Sequence, residues 1–364
     1  MDRLLFVAEW ERDKSKTWSG TTYALRKALD NYFDIEDVSI NKKYLLLFIS
    51  KICKIPSKLK NKSDIHYYKI KFGKYFINNK DKIPSLVFSE YKINKYKNEF
   101  IFQDFSISNI KDMYESQREV FNISGFNKAE YKYLCKRETE QHEFYKKCSG
   151  IFVMGEWLKK DMINRYNLNP NKIHTVGGGI NVDPSLIDYS NKQGNKILFI
   201  GSDFVSKNGF LLIEAFKKAK QTKKDLQLYI AGANNLEIDE KDVFVLGKLE
   251  HNEIAGYLNK CDVFCMPSIY EGYGIAFVEA LTFGLPCIGS NAFEAPYLIQ
   301  DGITGRLLQD NRNSSELASL ILETINNQDM KKAVRAKKDE YIKKYSWEEV
   351  AKNIYNVISQ QQNA

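Results

Sequence analysis

The chain has 364 residues, which is enough for two domains that each bury a full hydrophobic core. Hydrophobic residues make up 43% of the sequence, yet no run approaches the ~18 apolar residues of a membrane-spanning helix. The chain begins with a strand-like segment rather than a secretion signal, and its six cysteines and four histidines form no metal-ligand pattern. We therefore expect a cytoplasmic protein without a metal site.

The formal net charge of +8 comes from residues 51–100, which hold thirteen lysines against four acidic residues. One interpretation is a solvated face. A second is a surface that contacts an anionic membrane, where each lysine contributes about 1 kcal/mol; the overlapping stretch Tyr44–Leu59 has the pattern of an interfacial amphipathic helix. Nucleic acid is a weaker third interpretation, because this stretch has no arginine and no known nucleic-acid motif. We expect no nucleic-acid partner and a protein that is at most peripheral on the inner membrane face.

Short apolar runs alternate with helical patterns along the chain, which is typical of buried parallel strands in doubly wound α/β sheets. The first half predicts strands at Leu4–Ala8, Ser85–Ser89, Phe100–Gln103, Gly150–Met154 and His174–Val176. The second half predicts strands at Lys196–Gly201, Leu226–Ala231, Val243–Leu246, Val263–Met266, Pro286–Gly289 and Gly305–Leu308. The two sets predict an α/β protein with two Rossmann-like domains facing a cleft.

The domain boundary is predicted at Gly177–Pro184, where three consecutive glycines and a proline interrupt both helix and strand. The last helix is predicted to begin at Ser346–Glu349, because a serine followed three residues later by a glutamate is typical of a capping box.

The segment Tyr270–Ala280 carries the most informative pattern. Glu271 and Glu279 stand eight positions apart, separated by a Gly-aromatic-Gly turn and an apolar helical run. A strand–turn–helix unit directs backbone N–H groups at a ligand above the turn, glycine permits its close approach, and a helix N-terminus favours phosphate. Carboxylates on either side accept hydrogen bonds from sugar hydroxyls. This combination indicates a nucleotide-sugar site.

The same segment resembles the Glu-x7-Glu signature of the retaining GT-B glycosyltransferases of family 4, the glycosyl transferases group 1. The resemblance continues, in order, through most of the C-terminal half and is loose in the N-terminal half; it is carried by Ile197–Gly201, Lys207–Gly209, Gly284–Ser290, Asp301–Gly305 and Tyr345–Trp347. It implies the GT-B fold, with an acceptor domain at 1–180, a nucleotide-sugar donor domain at 185–345, and a final helix in 346–364 that crosses back onto the first domain.

The resemblance assigns roles to both carboxylates. Glu271 would bind donor-sugar hydroxyls; the alternative is an acid that complements the helix dipole. Glu279 would bind the ribose diol, because a carboxylate among apolar neighbours needs a partner; the alternative is a salt bridge to a nearby lysine or arginine. The diphosphate would be held by the backbone N–H groups of Gly274, Ile275 and Ala276.

The cationic contact would come from Lys207, which resembles the family's diphosphate-binding lysine and would stabilise the leaving group; an exposed loop lysine is the alternative. Two positions depart from the family pattern: Ser202 stands where an arginine is frequent, and Tyr297 where a glutamate is usual. The nucleobase is expected beside Gly247 and Leu249. A UDP-sugar is the expected donor, although these residues do not separate uracil from guanine or adenine.

In the N-terminal half, Gly20 resembles the glycine loop that faces the donor phosphates, with a plain helix-start glycine as the alternative. The catalytic histidine common in the family is absent after Phe100–Gln103. Asp104 stands there instead, and we take it as the polar residue on the acceptor side; capping of the following helix is an equal alternative.

These observations predict a hexosyltransferase that moves a sugar from a nucleotide diphosphate to an acceptor hydroxyl with retention, without a metal, in bacterial surface polysaccharide or glycolipid assembly. Retention follows from the resemblance alone. Alternatives are a non-catalytic module that binds a nucleotide sugar or a partner, and a nucleotide-sugar epimerase. A nicotinamide-dependent dehydrogenase is disfavoured, since no Gly-x-Gly-x-x-Gly follows Leu4–Ala8.

Overall fold

The computed structural model describes residues 2–39, 83–88, 98–124, 126–127, 129–190, 194–233 and 236–362. The predicted interfacial helix at Tyr44–Leu59 and most of the lysine-rich stretch 51–100 lie outside these residues. The chain divides into two compact units, Met1–Gly177 together with Trp347–Ala364, and Gly178–Ser346. Residues 178–180 were predicted in the first domain but belong to the second unit, where the N–H of Ile180 donates to the carbonyl of Tyr345 at 2.9 Å.

The first unit contains a parallel sheet with the order β2-β1-β3-β4-β5-β6 among the described strands. Its strands are β1 (Asp2–Ala8), β2 (Phe33–Ser39), β3 (Ser85–Phe88), β4 (Glu99–Gln103), β5 (Gly150–Val153) and β6 (Ile173–Thr175). Its helices are α1 (Thr21–Leu29), α2 (Ile107–Ser116), α3 (Arg118–Ile123), α4 (Tyr131–Lys147) and α5 (Glu156–Tyr166). The order reverses direction between β1 and β3, which makes that gap the topological switch point of this sheet.

Strand β2 was not predicted from the sequence. It mixes buried or half-buried apolar side chains with exposed acidic ones, because β2 is the edge strand among the described strands and presents one side to solvent. The search for wholly apolar runs finds central strands such as β3 and β4, in which every residue is buried, and passes over this edge.

The second unit contains a parallel sheet with the order β12-β11-β10-β7-β8-β9. Its strands are β7 (Lys196–Ile200), β8 (Gln227–Ala231), β9 (Val243–Gly247), β10 (Val263–Met266), β11 (Cys287–Ser290) and β12 (Gly305–Leu308). Its helices are α6 (Gly209–Thr222), α7 (His251–Lys260), α8 (Ile275–Thr282), α9 (Ala295–Leu298), α10 (Ser314–Asn326), α11 (Gln328–Ala336) and α12 (Lys338–Lys344). This is the dinucleotide-fold order, in which the switch point lies between β7 and β10.

A buried carboxylate fixes the amino ends of the two strands that border this switch point. Asp262, which is 3% exposed just before β10, accepts the backbone N–H groups of Asn195 and Lys196 at 3.0 Å each. These bonds satisfy the charge of Asp262 and set β7 beside β10, so the opposite, carboxyl ends of both strands emerge side by side.

The last helix, α13 (Trp347–Gln362), belongs to the first unit and packs against α1. The rings of Tyr32 and Tyr355 stack with their centroids 5.0 Å apart. The predicted return of the final helix to the N-terminal domain is therefore confirmed. None of the described helices is both long enough and apolar enough to cross a bilayer.

Candidate active site

Two loops meet at the switch point of the second sheet. One connects β7 to α6 and carries Ser202 and Lys207; the other connects β10 to α8 and carries Glu271 and Gly274. The carbonyl oxygen of Ser206 accepts the backbone N–H groups of Ile269 at 2.9 Å and Tyr270 at 3.3 Å. The main chain itself therefore holds the two loops together.

Lys207 and Glu271 form an ion pair between these loops. Lys207 Nζ donates to Glu271 Oε2 at 2.7 Å and to the carbonyl of Tyr270 at 3.3 Å. The two side chains are 21% and 13% exposed, so the pair is largely shielded while one edge remains accessible. Ser268 Oγ adds a longer contact to Glu271 Oε2 at 3.5 Å. Lys207 is thus not the exposed loop lysine of the alternative interpretation.

The N-terminus of α8 lies on the same loop as Glu271. Gly274 is the N-cap residue with φ of 87°, and its carbonyl accepts the N–H of Phe277 at 2.9 Å. The first N–H groups of a helix, here those of Ile275 and Ala276, have no acceptor within the helix and carry the positive end of its dipole. The residues predicted to contact a diphosphate therefore closely follow Glu271, one member of the ion pair, in the sequence.

Glu279 has a different partner from those weighed in the sequence analysis. It is 5% exposed, and its Oε1 accepts the backbone N–H of Asn181 at 2.9 Å. Burial raises the pKa of Glu279 to about 7, against the opposing effect of N–H groups donated by Asn181 and Val182. Main-chain amides of the segment after the glycine run thus take the place of the salt bridge considered above. Its contact with a ribose stays a prediction.

The partners of Glu279 could not be found from the sequence, because backbone amides leave no residue-type signal. What the sequence did provide was the requirement: an acid inside an apolar helix needs a hydrogen-bond donor. The glycines at Gly177–Gly179 were interpreted only as part of the domain boundary, although the carbonyl of Gly178 also accepts a hydrogen bond from the hydroxyl of Tyr273, at 3.4 Å.

The other residues predicted for the donor side lie at the same carboxyl edge of the sheet. Ser202 is exposed just after β7. Gly247 ends β9 with φ of 68°, and its carbonyl accepts the N–H of Gly232 at 2.7 Å. Leu249 follows it and is half-buried. Tyr297 lies on α9 and is 42% exposed. Among the residues described, no group of three His, Cys, Asp or Glu side chains is placed to hold a metal ion.

Gly20 and Asp104 belong to the first unit, so they do not share a compact unit with Lys207 and Glu271. Gly20 is the N-cap of α1 with φ of 91°. Asp104 is half-buried directly after β4. The proposed capping role of Asp104 is wrong: the N-cap of α2 is Ser106, which exchanges hydrogen bonds with Asn109 in a capping box.

Comparisons with known proteins agree with this architecture. Residues 188–347 match the family model described as glycosyl transferases group 1. The uncharacterized glycosyltransferase MJ1178 of Methanocaldococcus jannaschii is 29% identical over 218 residues, covering 58% of this chain and 59% of that protein. The phosphatidyl-myo-inositol mannosyltransferase of Mycobacterium leprae is 26% identical over 221 residues, covering 56% of this chain and 59% of that protein. The chain thus matches about three fifths of the length of each of these relatives.

Among solved structures, that of WaaG, a glycosyltransferase involved in lipopolysaccharide biosynthesis, has a TM-score of 0.66 at 13% identity and covers 98% of this chain and 99% of its own. At this identity the likeness shows the fold. The chain has the GT-B fold, and its residues 188–347 are similar to the glycosyl transferases group 1 family.

Proposed function

We propose that the protein is a retaining hexosyltransferase that uses a nucleotide diphosphate sugar, with a UDP-sugar as the first candidate, and transfers its hexose to an acceptor hydroxyl without a metal ion. The observation that carries this proposal is the Lys207–Glu271 pair, 2.7 Å apart, at the switch point and next to the N-terminus of α8. A cation and a carboxylate held side by side suit a ligand that presents phosphate oxygens beside sugar hydroxyls.

The electrostatics of the two loops suit the departure of a diphosphate. When the bond between the anomeric carbon and the phosphate oxygen breaks, the electron pair stays on that oxygen and negative charge grows there. The positive charge of Lys207 and the dipole at the start of α8 would stabilise this negative charge. Glu271 keeps Lys207 oriented and accepts hydrogen bonds from the sugar. The acceptor oxygen forms the new bond to the anomeric carbon, and its proton passes to the phosphate oxygen that leaves.

The acceptor is proposed to be a glycan or glycolipid of a bacterial cell surface. Support comes from two similar proteins, the phosphatidyl-myo-inositol mannosyltransferase of Mycobacterium leprae and WaaG, which is involved in lipopolysaccharide biosynthesis. In this proposal Asp104 is the polar residue on the acceptor side and Gly20 borders the donor phosphates. The lysines of residues 51–100 would bind an anionic membrane. Equal recovery of the protein on neutral and anionic vesicles in co-sedimentation would exclude this membrane binding.

The decisive experiment has two steps. Thermal unfolding is first measured with UDP, GDP and ADP and with their hexose derivatives, since a ligand at 100 times its dissociation constant adds about 2.7 kcal/mol of stability. Release of nucleotide diphosphate is then followed with the donor that binds. Stabilisation together with slow release that requires Glu271 supports the proposal. Binding without release or transfer, across many acceptors, indicates a non-catalytic module, and the absence of any stabilisation overturns the donor site.

A further inference from the structure

The carboxyl edge of the first sheet has an aromatic surface that the donor site does not use. Trp10 and Trp18 follow β1, and Phe88 ends β3, so these rings border the switch point between β1 and β3. Ligands of open α/β sheets bind outside the carboxyl ends of the strands, at that point. An aromatic surface in this place is therefore in the position of a binding site.

Trp18 is the exposed member of this surface. Its ring stands at 79° to Phe88 and at 75° to Phe102, with centroids 6.1 and 6.3 Å away, while the two phenylalanine rings stack at 4.8 Å. Despite these contacts, 38% of Trp18 remains exposed. The rings of Phe88 and Phe102 therefore fix the position of an indole that is still open to a ligand.

The backbone that presents this indole is strained. Trp18 and Ser19 have φ of 48° and 53°, and Gly20 continues the left-handed run at 91°. Left-handed geometry costs roughly 1–2 kcal/mol for each residue other than glycine, and such strain concentrates at functional sites. A loop with relaxed backbone would not hold Trp18 against Phe88 and Phe102 with its ring outward. A ligand that contacts the ring would explain both the strained backbone and the exposed indole.

Polar groups adjoin the same surface. Trp10 stacks on Phe6 at 5.7 Å, and its buried indole N–H has no acceptor in the described part of the chain. Lys14 lies over the Trp10 ring at 4.8 Å. Asp104 follows β4 two residues after Phe102. Lys14 is also paired with Asp37 at 3.0 Å. The loops at this edge of the sheet thus carry polar groups as well as an exposed apolar ring, which suits a molecule with one C–H face and many hydroxyls.

We propose that Trp18 forms the acceptor subsite and stacks a pyranose ring, so that the hydroxyl that receives the hexose belongs to a sugar residue. This inference rests on the proposed transferase function and names its acceptor class. The C–H groups of a pyranose face are attracted by the negative face of an indole. A lipid alcohol would instead need a continuous apolar groove, whereas Trp18 offers a single exposed ring.

The inference is tested by saturation-transfer NMR with the methyl glycosides of glucose, galactose, mannose and N-acetylglucosamine. We expect the ring C–H protons of at least one glycoside to receive saturation from the wild-type protein. Trp18→Ala should weaken the binding of that glycoside roughly 2- to 10-fold, and Trp18→Phe should restore most of the saturation-transfer signal. Tyr23→Ala is the matched control, because Tyr23 is also 38% exposed and lies on the neighbouring helix α1.

The outcomes separate this inference from the donor site. Equal signals from wild type and Trp18→Ala, or no signal from any glycoside, overturn the stacking subsite. Thermal shifts with nucleotide diphosphates are measured on the same variants. An unchanged donor shift in Trp18→Ala together with a lost glycoside signal supports the subsite. The absence of a donor shift in wild type counts against the transferase function alone.

Discussion

Lys207 Nζ lies 2.7 Å from Glu271 Oε2, although the two residues are 64 positions apart in the chain. They meet because β7 and β10 are neighbours in the sheet and because the carbonyl of Ser206 holds the loop that carries Glu271. Each side chain therefore fixes the direction of the other, and either can be removed to test what the pair does.

Lys207→Met should weaken binding of a nucleotide diphosphate about 10- to 100-fold, because a charge-assisted hydrogen bond contributes about 1.5–3 kcal/mol. Isothermal titration with the donor identified by thermal shift measures the effect. The matched control is Lys217→Met, which breaks a surface ion pair with Glu240 at 2.6 Å in the same unit. If both variants bind alike, Lys207 is not a phosphate contact.

Gly274→Ala should destabilise the protein by about 1–3 kcal/mol. Gly274 has φ of 87°, and an added Cβ would stand 2.7 Å from Phe277 Cδ2. Two controls separate these causes. Gly302 has φ of 78°, and an added Cβ there would meet no atom within 4 Å. Gly302→Ala should therefore lose only the free energy of the left-handed conformation, about 1 kcal/mol. Gly256→Ala, on α7 with open space, should stabilise by up to about 1 kcal/mol. Thermal melts measure all three, and an equal loss at Gly274 and Gly302 would exclude the contact with Phe277.

Glu279 should make the protein less stable as the pH rises. Burial raises its pKa from 4.5 to about 7, so the folded state holds a proton that the unfolded state has released. The stabilisation is complete below pH 4.5 and is lost as the pH rises through 7. At 1.36 kcal/mol per pH unit the loss is on the order of 3 kcal/mol.

Glu279→Gln should therefore match wild type near pH 4.5 and exceed its melting temperature near pH 8. Glu237→Gln, at an exposed acid outside the helices of the same unit, is the control and should change neither melt. A constant difference between Glu279→Gln and wild type at both pH values would show that Glu279 is not protonated in the folded protein.

Glu99 offers the same test in the first unit. It is 2% exposed at the start of β4, and burial raises its pKa to about 8. Stability should fall as the pH rises from 4.5 to 8, and Glu99→Gln should raise the melting temperature at pH 9 but not at pH 4.5. Hydrogen exchange at β4 and β5 locates the effect; a shift confined to the second unit contradicts the assignment.

The sequence predicted best where burial is complete. Strand β10 was predicted at Val263–Met266, the bounds it has in the structure, because all four residues are buried between helices. Lys207 and Glu271 were both selected, but their contact could not be predicted, since it depends on the order of β7 and β10 in the sheet. Trp18 carried no signal, because a left-handed backbone at a residue other than glycine leaves no pattern in the residue types.

The bond from Ser206 to the neighbouring loop uses a carbonyl oxygen, which every residue type supplies. The exposed side chain of Ser202 can therefore change without releasing that loop, whereas Asp203 Oδ1 accepts the N–H of Ser206 at 3.1 Å and Phe204 packs on Phe199. Position 202 is accordingly a place where a new side chain can be introduced while the backbone that positions Lys207 is retained.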